Sequence, residues 1–300
     1  MRLNEHFRWG QRSYLMGILN VTPDSFSGDG VMETENTLAT ALDQASAFQA
    51  AGADIIDVGG ESTRPGAEPV PATEEISRVV PIIEAVSSAL PDVPISVDTS
   101  KSEVAAAAIK AGAHMINDVW GLQRDPEIAA VAAEAECPVI LMHNESRAQA
   151  IDQHGSGGAH YRAGDYDHLL DEVCATLSRI ADDAEQAGIA EDQIILDPGI
   201  GFGKSVTQNL ALLNHLDRIK AMGYPVLVGP SRKSFIGTVL DLEVEAREEG
   251  TAAAIAVSIV RGADILRVHD VAAMGRVAKM CDAIIRAPAD GRSEPAKGAA

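Results

Sequence analysis

Short apolar runs recur along the chain, and their spacing is the strongest structural signal in the sequence. Each run is continuously apolar instead of alternating with polar residues, which is typical of parallel strands covered on both faces. The eight runs are LMGILNV (15–21), DIIDVGG (54–60), ISVDTS (95–100), HMINDV (114–119), PVILMH (138–143), IILDPG (194–199), PVLVGPS (225–231) and ILRVHD (265–270).

Helical patterns fill the stretches between these runs. Examples are TLATALDQASAFQAAGA, EEISRVVPIIEAVSSAL and TAAAIAVSIVRGA, and several end beside a glycine, which commonly follows the last turn of a helix. A strand and then a helix, repeated eight times, predicts an α/β fold of the (β/α)8 TIM-barrel type in a single domain. A doubly wound open sheet is the alternative, because periodicity alone does not close a sheet.

Two segments depart from this rhythm. Residues 144–164 (NESRAQAIDQHGSGGAHYRAG) predict an irregular loop after the fifth run, and the two histidines in it lack an acidic partner at metal-ligand spacing. Residues 287–300 (APADGRSEPAKGAA) predict a disordered C-terminal tail. We therefore expect the barrel to occupy residues 1–286.

Composition narrows the class of protein. With 46% hydrophobic and 23% charged residues over 300 positions, the chain has the composition of an ordinary globular protein. We find no apolar span long enough for a membrane helix and no secretory signal, so we predict a cytoplasmic protein. Its three cysteines have no CxxC spacing and therefore predict neither a disulfide framework nor a zinc site.

The formal net charge of −20 bears on the possible partners. A field of this sign repels nucleic acid and anionic membranes, so we expect neither as a partner. An anionic substrate would need a local basic cluster that overrides this field. The residues available for such a cluster are Arg64, Arg232, Lys233 and Arg267.

Every predicted strand ends in at least one polar or ionisable residue. In a TIM barrel these carboxyl ends share one rim, and the active site is built there. Gathering many charged groups costs too much desolvation unless they are paired or bind a ligand. The rim residues are Asn20, Asp57, Asp98, Asn117, Asp118, His143, Asp197, Ser231, Arg232, Lys233, Arg267, His269 and Asp270. Asp57, Ser100, Asp118 and Asp270 suit barrel-end hydrogen bonds or helix caps equally well.

Two groups of rim residues suggest two kinds of ligand. The first group comes from the first and last strands, suits a phosphate, and offers an amide oxygen to a divalent cation. Its members are Asn20, Arg267 and His269. The second group forms an acceptor-rich pocket for a flat heterocycle with several N–H donors, and its members are Asp98, Asn117 and Asp197. Lys233 supplies a point charge between the two groups.

The glycine-rich stretch DPGIGFGKS (197–205) follows the sixth run. It matches neither the dinucleotide-binding nor the Walker phosphate-binding pattern, so a phosphate loop is the weaker interpretation. Its glycines predict a tight turn or a close approach of the backbone to a ligand.

Seven motifs, in order along the chain, resemble those of dihydropteroate synthases of folate biosynthesis. They are NVTPDSFS, DVGGESTRPGA, VDTSK, INDVWG, DPGIGFGK, GPSRKSFIG and RVHDV, and the resemblance covers about residues 13–283. The resemblance implies a (β/α)8 barrel, usually homodimeric. It also implies that the enzyme joins two small molecules, 4-aminobenzoate and 6-hydroxymethyl-7,8-dihydropterin diphosphate, and releases diphosphate.

The resemblance assigns roles to individual residues. The catalytic residues would be Asp98, Asp197, Lys233 and Arg267. The pterin would be held by Asp98, Asn117, Asp197 and Lys233, with Met142 and Phe202 beside its ring. The diphosphate would be held by Asn20, Arg267 and His269, with Mg²⁺ at Asn20. The aminobenzoate would be covered by Thr22, Pro23, Asp24, Ser25, Phe26, Ser62, Thr63, Arg64 and Pro65, and its carboxylate would touch Ser234.

The implied chemistry begins with loss of diphosphate, which leaves a carbocation at the pterin methylene. The first loop would then exclude water, with Phe26 as an apolar wall and Asp24 as a compensating charge. The chain departs from the family pattern at two places. Gly28-Asp29-Gly30 replaces the common Asp-Gly-Gly, and the sequence after His143 is different.

Three other functions share parts of this pattern. A pterin-binding methyltransferase would have the same acidic pocket but no use for a diphosphate clamp. A Schiff-base aldolase would also place a lysine such as Lys233 at a strand end. A catalytically silent relative would bind pterin or a partner protein and would differ mainly in the first loop. Diphosphate release that depends on 4-aminobenzoate would distinguish the synthase from the methyltransferase, and borohydride trapping at Lys233 would support the aldolase.

Overall fold

Eight parallel strands form the centre of the protein. The computed structural model describes residues 1–21, 34–63, 66–146, 151–154 and 158–288. Its strands are β1 (Tyr14–Asn20), β2 (Ile55–Gly59), β3 (Ile95–Asp98), β4 (Met115–Asp118), β5 (Val139–Met142), β6 (Ile151–His154), β7 (Gly158–Tyr161), β8 (Ile194–Asp197), β9 (Leu227–Val228) and β10 (Ile265–Val268). The large sheet has the order β8-β5-β4-β3-β2-β1-β10-β9, and a parallel bridge between Leu196 and Val226 joins its two edges. This closure confirms the predicted TIM barrel and excludes the doubly wound sheet.

Helices connect the strands on the outside of the barrel. They are α1 (Leu3–His6), α2 (Thr34–Ala50), α3 (Ala72–Ala89), α4 (Ser102–Lys110), α5 (Glu127–Glu134), α6 (Leu169–Gln186), α7 (Val206–Asn214), α8 (Asp217–Lys220), α9 (Ser234–Leu240), α10 (Glu248–Val260) and α11 (Val271–Ile285). Gly52, Gly112, Gly223 and Gly262 lie just past helix ends with φ between 92° and 113°, the left-handed conformation that ends helices.

The segment after β5 is more regular than predicted. β6 and β7 pair in antiparallel fashion as a hairpin separate from the barrel sheet. The prediction of an irregular loop over 144–164 is therefore wrong in part. Glycine and serine around residue 156 obscure the short strands in the sequence.

The barrel interior is apolar towards the amino ends of the strands. Side chains from the strands meet the N-terminal segment in one cluster: Leu3, Phe7, Tyr14, Met16, Ile55, Met115, Ile140, Ile195, Leu227 and Ile265. The ring of Phe7 lies 5.1 Å from that of Trp9 and 4.8 Å from that of Tyr14, measured between centroids. The N-terminal segment thus closes the amino end of the barrel and leaves the carboxyl end for a site.

A second, larger apolar core lies between the barrel and the helices. Cys137 is buried in it, and the free cysteines Cys174 and Cys281 pack against it. Over the residues that the structure describes, no helix is both long and apolar enough to cross a membrane.

Candidate active site

Polar side chains line the barrel interior directly above the apolar cluster. Residues i and i+2 of a strand face the same side of a sheet. Because Ile55, Met115, Ile195 and Ile265 belong to the interior cluster, the residues two positions later also face inward. These residues are Asp57, Asn117, Asp197 and Arg267. The first three are buried, and the Arg267 side chain is 19% exposed.

Strand register brings further predicted residues to the same level. Asn20 lies opposite Gly59, Gly59 opposite Asp98, and Asp98 opposite Asn117. Adjacent strands are about 5 Å apart, so these residues form an arc on one rim of the barrel. Met142 lies opposite Asp197 in the same way. Residues far apart in the sequence therefore share one opening.

Arg267 connects the two groups that the sequence suggests as separate. Its Nε donates to Asp57 Oδ2 and its Nη2 to Asp98 Oδ2, each at 2.6 Å. Asp57 Oδ2 also accepts from Asn117 Nδ2 at 3.1 Å. Arg267 of the anion group is thus joined to Asp98 and Asn117 of the acceptor pocket in one network, and Asp57 is a member of it instead of a helix cap. The positive charge of the guanidinium offsets the large desolvation cost of burying the two carboxylates.

Two other candidates for capping do have that role. Asp118 accepts hydrogen bonds from the backbone N–H groups of Trp120 and Leu122 at 2.9 and 2.7 Å. Asp270 caps α11 by accepting from Ala273 N at 2.8 Å. Both residues shape loops of the rim and are not placed by these contacts to bind a ligand.

Burial shifts the pKa of three charged residues of the site, Asp98, Asp197 and Lys233. Burial raises the pKa of Asp98 to about 7, although Arg267 opposes the shift. It also raises the pKa of Asp197, against the effect of Lys233. Burial lowers the pKa of Lys233 to about 8, although Asp197 favours its charged form. Groups with such shifts in a cleft are typical of functional sites.

Lys233 and Phe202 form one wall of the site. The Lys233 ammonium lies 4.6 Å from the centroid of the Phe202 ring and donates to the carbonyl oxygen of Ile200. Phe202 also stacks on Tyr161 at the end of β7, with ring centroids 6.2 Å apart and ring planes at 23°. A cation and an aromatic ring in contact form a wall against which a flat ring can pack.

The glycine-rich stretch forms a tight turn under this wall, as predicted. Gly199, Gly201 and Gly203 have φ of 70°, 85° and 60°. A Cβ on Gly201 would lie 2.7 Å from Lys233 Cδ, and one on Gly199 would overlap the carbonyl oxygen of His143. Side chains at these positions would displace the residues that form the pocket.

Lys204 is a buried residue that our sequence reasoning does not identify. Its ammonium contacts the carbonyl oxygens of Gly199 and Phe202 at 3.1 and 3.0 Å and His143 Nδ1 at 3.1 Å. Burial lowers the pKa of Lys204 to about 7, and burial together with Lys204 lowers that of His143 to about 3. Lys204 thus stabilises the glycine turn through hydrogen bonds to its backbone. Its place in DPGIGFGKS, directly after the last glycine, is the only sequence signal for it.

The remaining predicted residues lie around this centre. Ser231 Oγ contacts His269 Nδ1 at 3.0 Å and orients the imidazole beside the end of β10. Met142 is buried, and Ser234 begins α9 directly after Lys233. The carbonyl oxygen of Thr63 accepts from Tyr161 Oη at 3.1 Å, which links the segment after β2 to the hairpin.

A cavity of about 530 Å³ opens over Asp98. Its lining includes Glu61, Ser62, Thr63, Ala67, Pro69, Glu75, Asp98, Trp120, Arg124, Tyr161 and Phe202. Four of the residues that the resemblance assigns to the substrates, Ser62, Thr63, Asp98 and Phe202, therefore line the cavity. Asp24, Phe26, Arg64 and Pro65, and the other predicted residues of the first loop, lie outside the described residues.

This fold and rim define a pterin-binding enzyme. The family model for pterin-binding enzymes matches residues 16–269. The dihydropteroate synthase of Synechocystis sp. is 48% identical over 281 residues, which cover 93% of each chain.

Solved structures agree. A Clostridium difficile dihydropteroate synthase, determined in the presence of pteroic acid, has a TM-score of 0.84 and 44% identity over 93% of this chain and 99% of its own. The Xanthomonas albilineans enzyme in complex with 7,8-dihydropteroate has a TM-score of 0.80 and 40% identity over 92% of this chain and 95% of its own. The chain belongs to the dihydropteroate synthase family, whose members are transferases of folate biosynthesis.

Proposed function

We propose that this site condenses 6-hydroxymethyl-7,8-dihydropterin diphosphate with 4-aminobenzoate to give 7,8-dihydropteroate and diphosphate. One observation carries the proposal. Arg267, whose guanidinium can bind a phosphate, is hydrogen-bonded to Asp98, whose carboxylate can bind a heterocycle, and to Asp57. Family membership and the solved relative in complex with 7,8-dihydropteroate support the same reaction.

The pterin ring would lie at the centre of the barrel mouth. The oxygens of Asp98, Asn117 and Asp197 accept hydrogen bonds from its N–H groups, while Phe202 and Lys233 pack along one side. Burial of both carboxylates makes these hydrogen bonds stronger than they would be in water. A ring without N–H donors would leave buried acceptors unpaired, so the pocket would reject it.

The first chemical step would break the bond between the pterin methylene and diphosphate. The diphosphate leaves with the electron pair and binds Arg267 and His269, which neutralise its charge. The bonds that Arg267 donates to Asp57 and Asp98 use two of the five guanidinium N–H groups, so the others can bind the phosphate oxygens. Arg267 bonds Asp98 through Oδ2, so Asp98 Oδ1 can still accept from the pterin.

The second step would form the carbon–nitrogen bond. Asp98 and Asp197 place negative charge near the cationic pterin, and the aniline nitrogen of 4-aminobenzoate attacks the methylene with its lone pair. Its surplus proton passes to solvent, so no strong general base is required. The segment after β2 and the hairpin, which meet at Thr63 and Tyr161, limit the access of water from one side.

Mg²⁺ fits the site as a partner of the diphosphate. Asn20 is half-buried at the end of β1, and a Cβ at Gly59 would lie 3.8 Å from Asn20 Oδ1, so glycine at this position leaves the amide oxygen uncovered on that side. Within the described ranges, no group of three or more acidic, histidine or cysteine residues is placed to hold a metal ion. A single amide oxygen suits Mg²⁺, which binds few protein ligands and takes the others from phosphates and water. When bound, the ion would stabilise negative charge on the leaving group.

A second copy of the chain would cover an apolar face on the C-terminal helices. Val257 and Val260 on α10 are 43% and 63% exposed, and Met280 and Ile284 on the neighbouring α11 are each 61% exposed. Apolar patches of this kind commonly mark protein interfaces. A homodimer through this face is part of the proposal, whereas the cytoplasmic location stays a prediction from composition.

Diphosphate release is the direct test of the proposed reaction. We expect the purified protein to release diphosphate over many turnovers only when 4-aminobenzoate is present, and to form 7,8-dihydropteroate in equal amount. Loss of Mg²⁺ dependence of diphosphate binding in Asn20→Ala, measured by calorimetry, would support the metal assignment. Release over many turnovers that is independent of 4-aminobenzoate, or no release at all, would contradict the proposal.

A further inference from the structure

The segment between β2 and α3 forms one wall of the cavity over Asp98. Five cavity-lining residues, Glu61, Ser62, Thr63, Ala67 and Pro69, come from this segment. In the proposed function the pterin occupies the barrel centre, so the second substrate approaches through this cavity. The position of the segment therefore decides how that substrate meets the reactive carbon.

Three charged side chains meet at the base of the segment. Lys101 Nζ lies 2.5 Å from Glu61 Oε2 and also bonds Glu75 Oε2. Glu75 comes from the first turn of α3 and is fully buried, while the side chains of Lys101 and Glu61 are only 19% and 13% exposed. Since a buried carboxylate without a cation is costly, Lys101 is held where it reaches both.

Glu61 also connects the two ends of the segment. Its second oxygen, Oε1, accepts from Val70 N at 3.2 Å, so one carboxylate joins Lys101 to a backbone group nine residues further along the chain. Arg78, on α3, donates to the carbonyl oxygen of Gly60 at 2.8 Å. A Cβ on Gly60 would lie 2.7 Å from Val79 Cγ1, so the backbone packs directly on the helix.

We propose that Glu61 is a positioning residue for the second substrate. Lys101, which also bonds Glu75, holds Glu61, and Glu61 bonds the backbone of Val70, so that the neighbouring Thr63 is kept in the lining of the cavity. The triad acts through the shape of the segment and does not itself touch the reacting atoms. This inference rests on the proposed function, which makes 4-aminobenzoate the second substrate.

Two substitutions at Glu61 separate its contacts. Glu61→Ala removes both the ion pair and the Val70 contact, whereas Glu61→Gln keeps an acceptor for Val70 N and loses only the charge. For Glu61→Ala we expect KM for 4-aminobenzoate to rise on the order of 10- to 100-fold, as for a misplaced substrate-positioning group. We expect Glu61→Gln to show a smaller rise, and the affinity for the pterin diphosphate to change in neither variant.

Glu84→Ala is the matched control, since Glu84 is an exposed carboxylate on the same helix as Glu75. It should change neither KM nor the melting temperature. An equal loss of affinity for both substrates in Glu61→Ala, or a lower melting temperature with unchanged KM, would show a merely structural residue and overturn the proposal.

Failure of the proposed function is separable from failure of this inference. A wild-type protein that releases no diphosphate refutes the function alone. Hydrogen exchange then tests the contact between Glu61 and Val70 directly. The backbone amide of Val70 and those of its neighbours must exchange faster in Glu61→Ala than in wild type or Glu84→Ala. Unchanged exchange would overturn the role of Glu61 whatever reaction the enzyme catalyses.

Discussion

Replacing Arg267 with alanine tests the network at its centre. The guanidinium bonds Asp57 and Asp98, whose side chains are 0% and 7% exposed, so its loss leaves two buried carboxylates without a cation. Removing one partner of a buried pair costs about 3–5 kcal/mol in the free energy of unfolding. Domains commonly have about 5–15 kcal/mol in total. We therefore expect Arg267→Ala to fold but to unfold at a lower denaturant concentration.

The same substitution removes the proposed contact with diphosphate. We expect the free energy of diphosphate binding to weaken by at least about 2 kcal/mol, because truncation of a buried charged contact typically costs that much. This loss corresponds to a Kd about 30-fold higher. Calorimetry with diphosphate and denaturant unfolding measure the two effects separately.

Two further variants sharpen this experiment. Arg267→Lys keeps the charge but loses the planar fork, so it should fall between wild type and Arg267→Ala in both assays. Arg276→Ala removes an exposed arginine from α11 and should change neither quantity. A folded Arg267→Ala protein that binds diphosphate with the wild-type Kd would refute the role of Arg267.

Three other substitutions probe the pocket and the surface. Gly199→Ala should destabilise the protein more than Gly52→Ala. Both glycines have positive φ, which costs about 1–2 kcal/mol for alanine, but only at Gly199 would the new Cβ also clash with a carbonyl oxygen. Equal unfolding free energies of the two variants would contradict this. A carboxylate accepts N–H bonds on all its oxygens only when ionised, so pterin affinity should fall as pH drops through about 7, the raised pKa of Asp98. Asp98→Asn should lack that dependence in a fluorescence titration, and its persistence would assign the titration elsewhere. Val260→Lys should shift the sedimentation coefficient from dimer to monomer without loss of fold, and an unchanged coefficient would place the interface on another face.

The barrel and most of its rim are determined by the sequence itself. Continuous apolar runs mark strands covered on both faces, and a polar residue at the end of each run must face a shared opening once the sheet closes. Strand periodicity then directs Asn117, Asp197 and Arg267 inward, above an apolar layer. The seven motifs add the family, because their order along the chain is specific.

Tertiary structure alone decided which of these groups are partners. Arg267 is 169 residues from Asp98 and 210 from Asp57, and no local pattern indicates that one guanidinium bonds both carboxylates. The burial of Lys204 and the contacts of Glu61 with Lys101 and Val70 likewise depend on which atoms packing brings within hydrogen-bond distance. Local sequence determines backbone conformation and the face of each side chain. Pairing across the barrel depends on the closed three-dimensional arrangement, in which desolvation makes every unpaired charge costly.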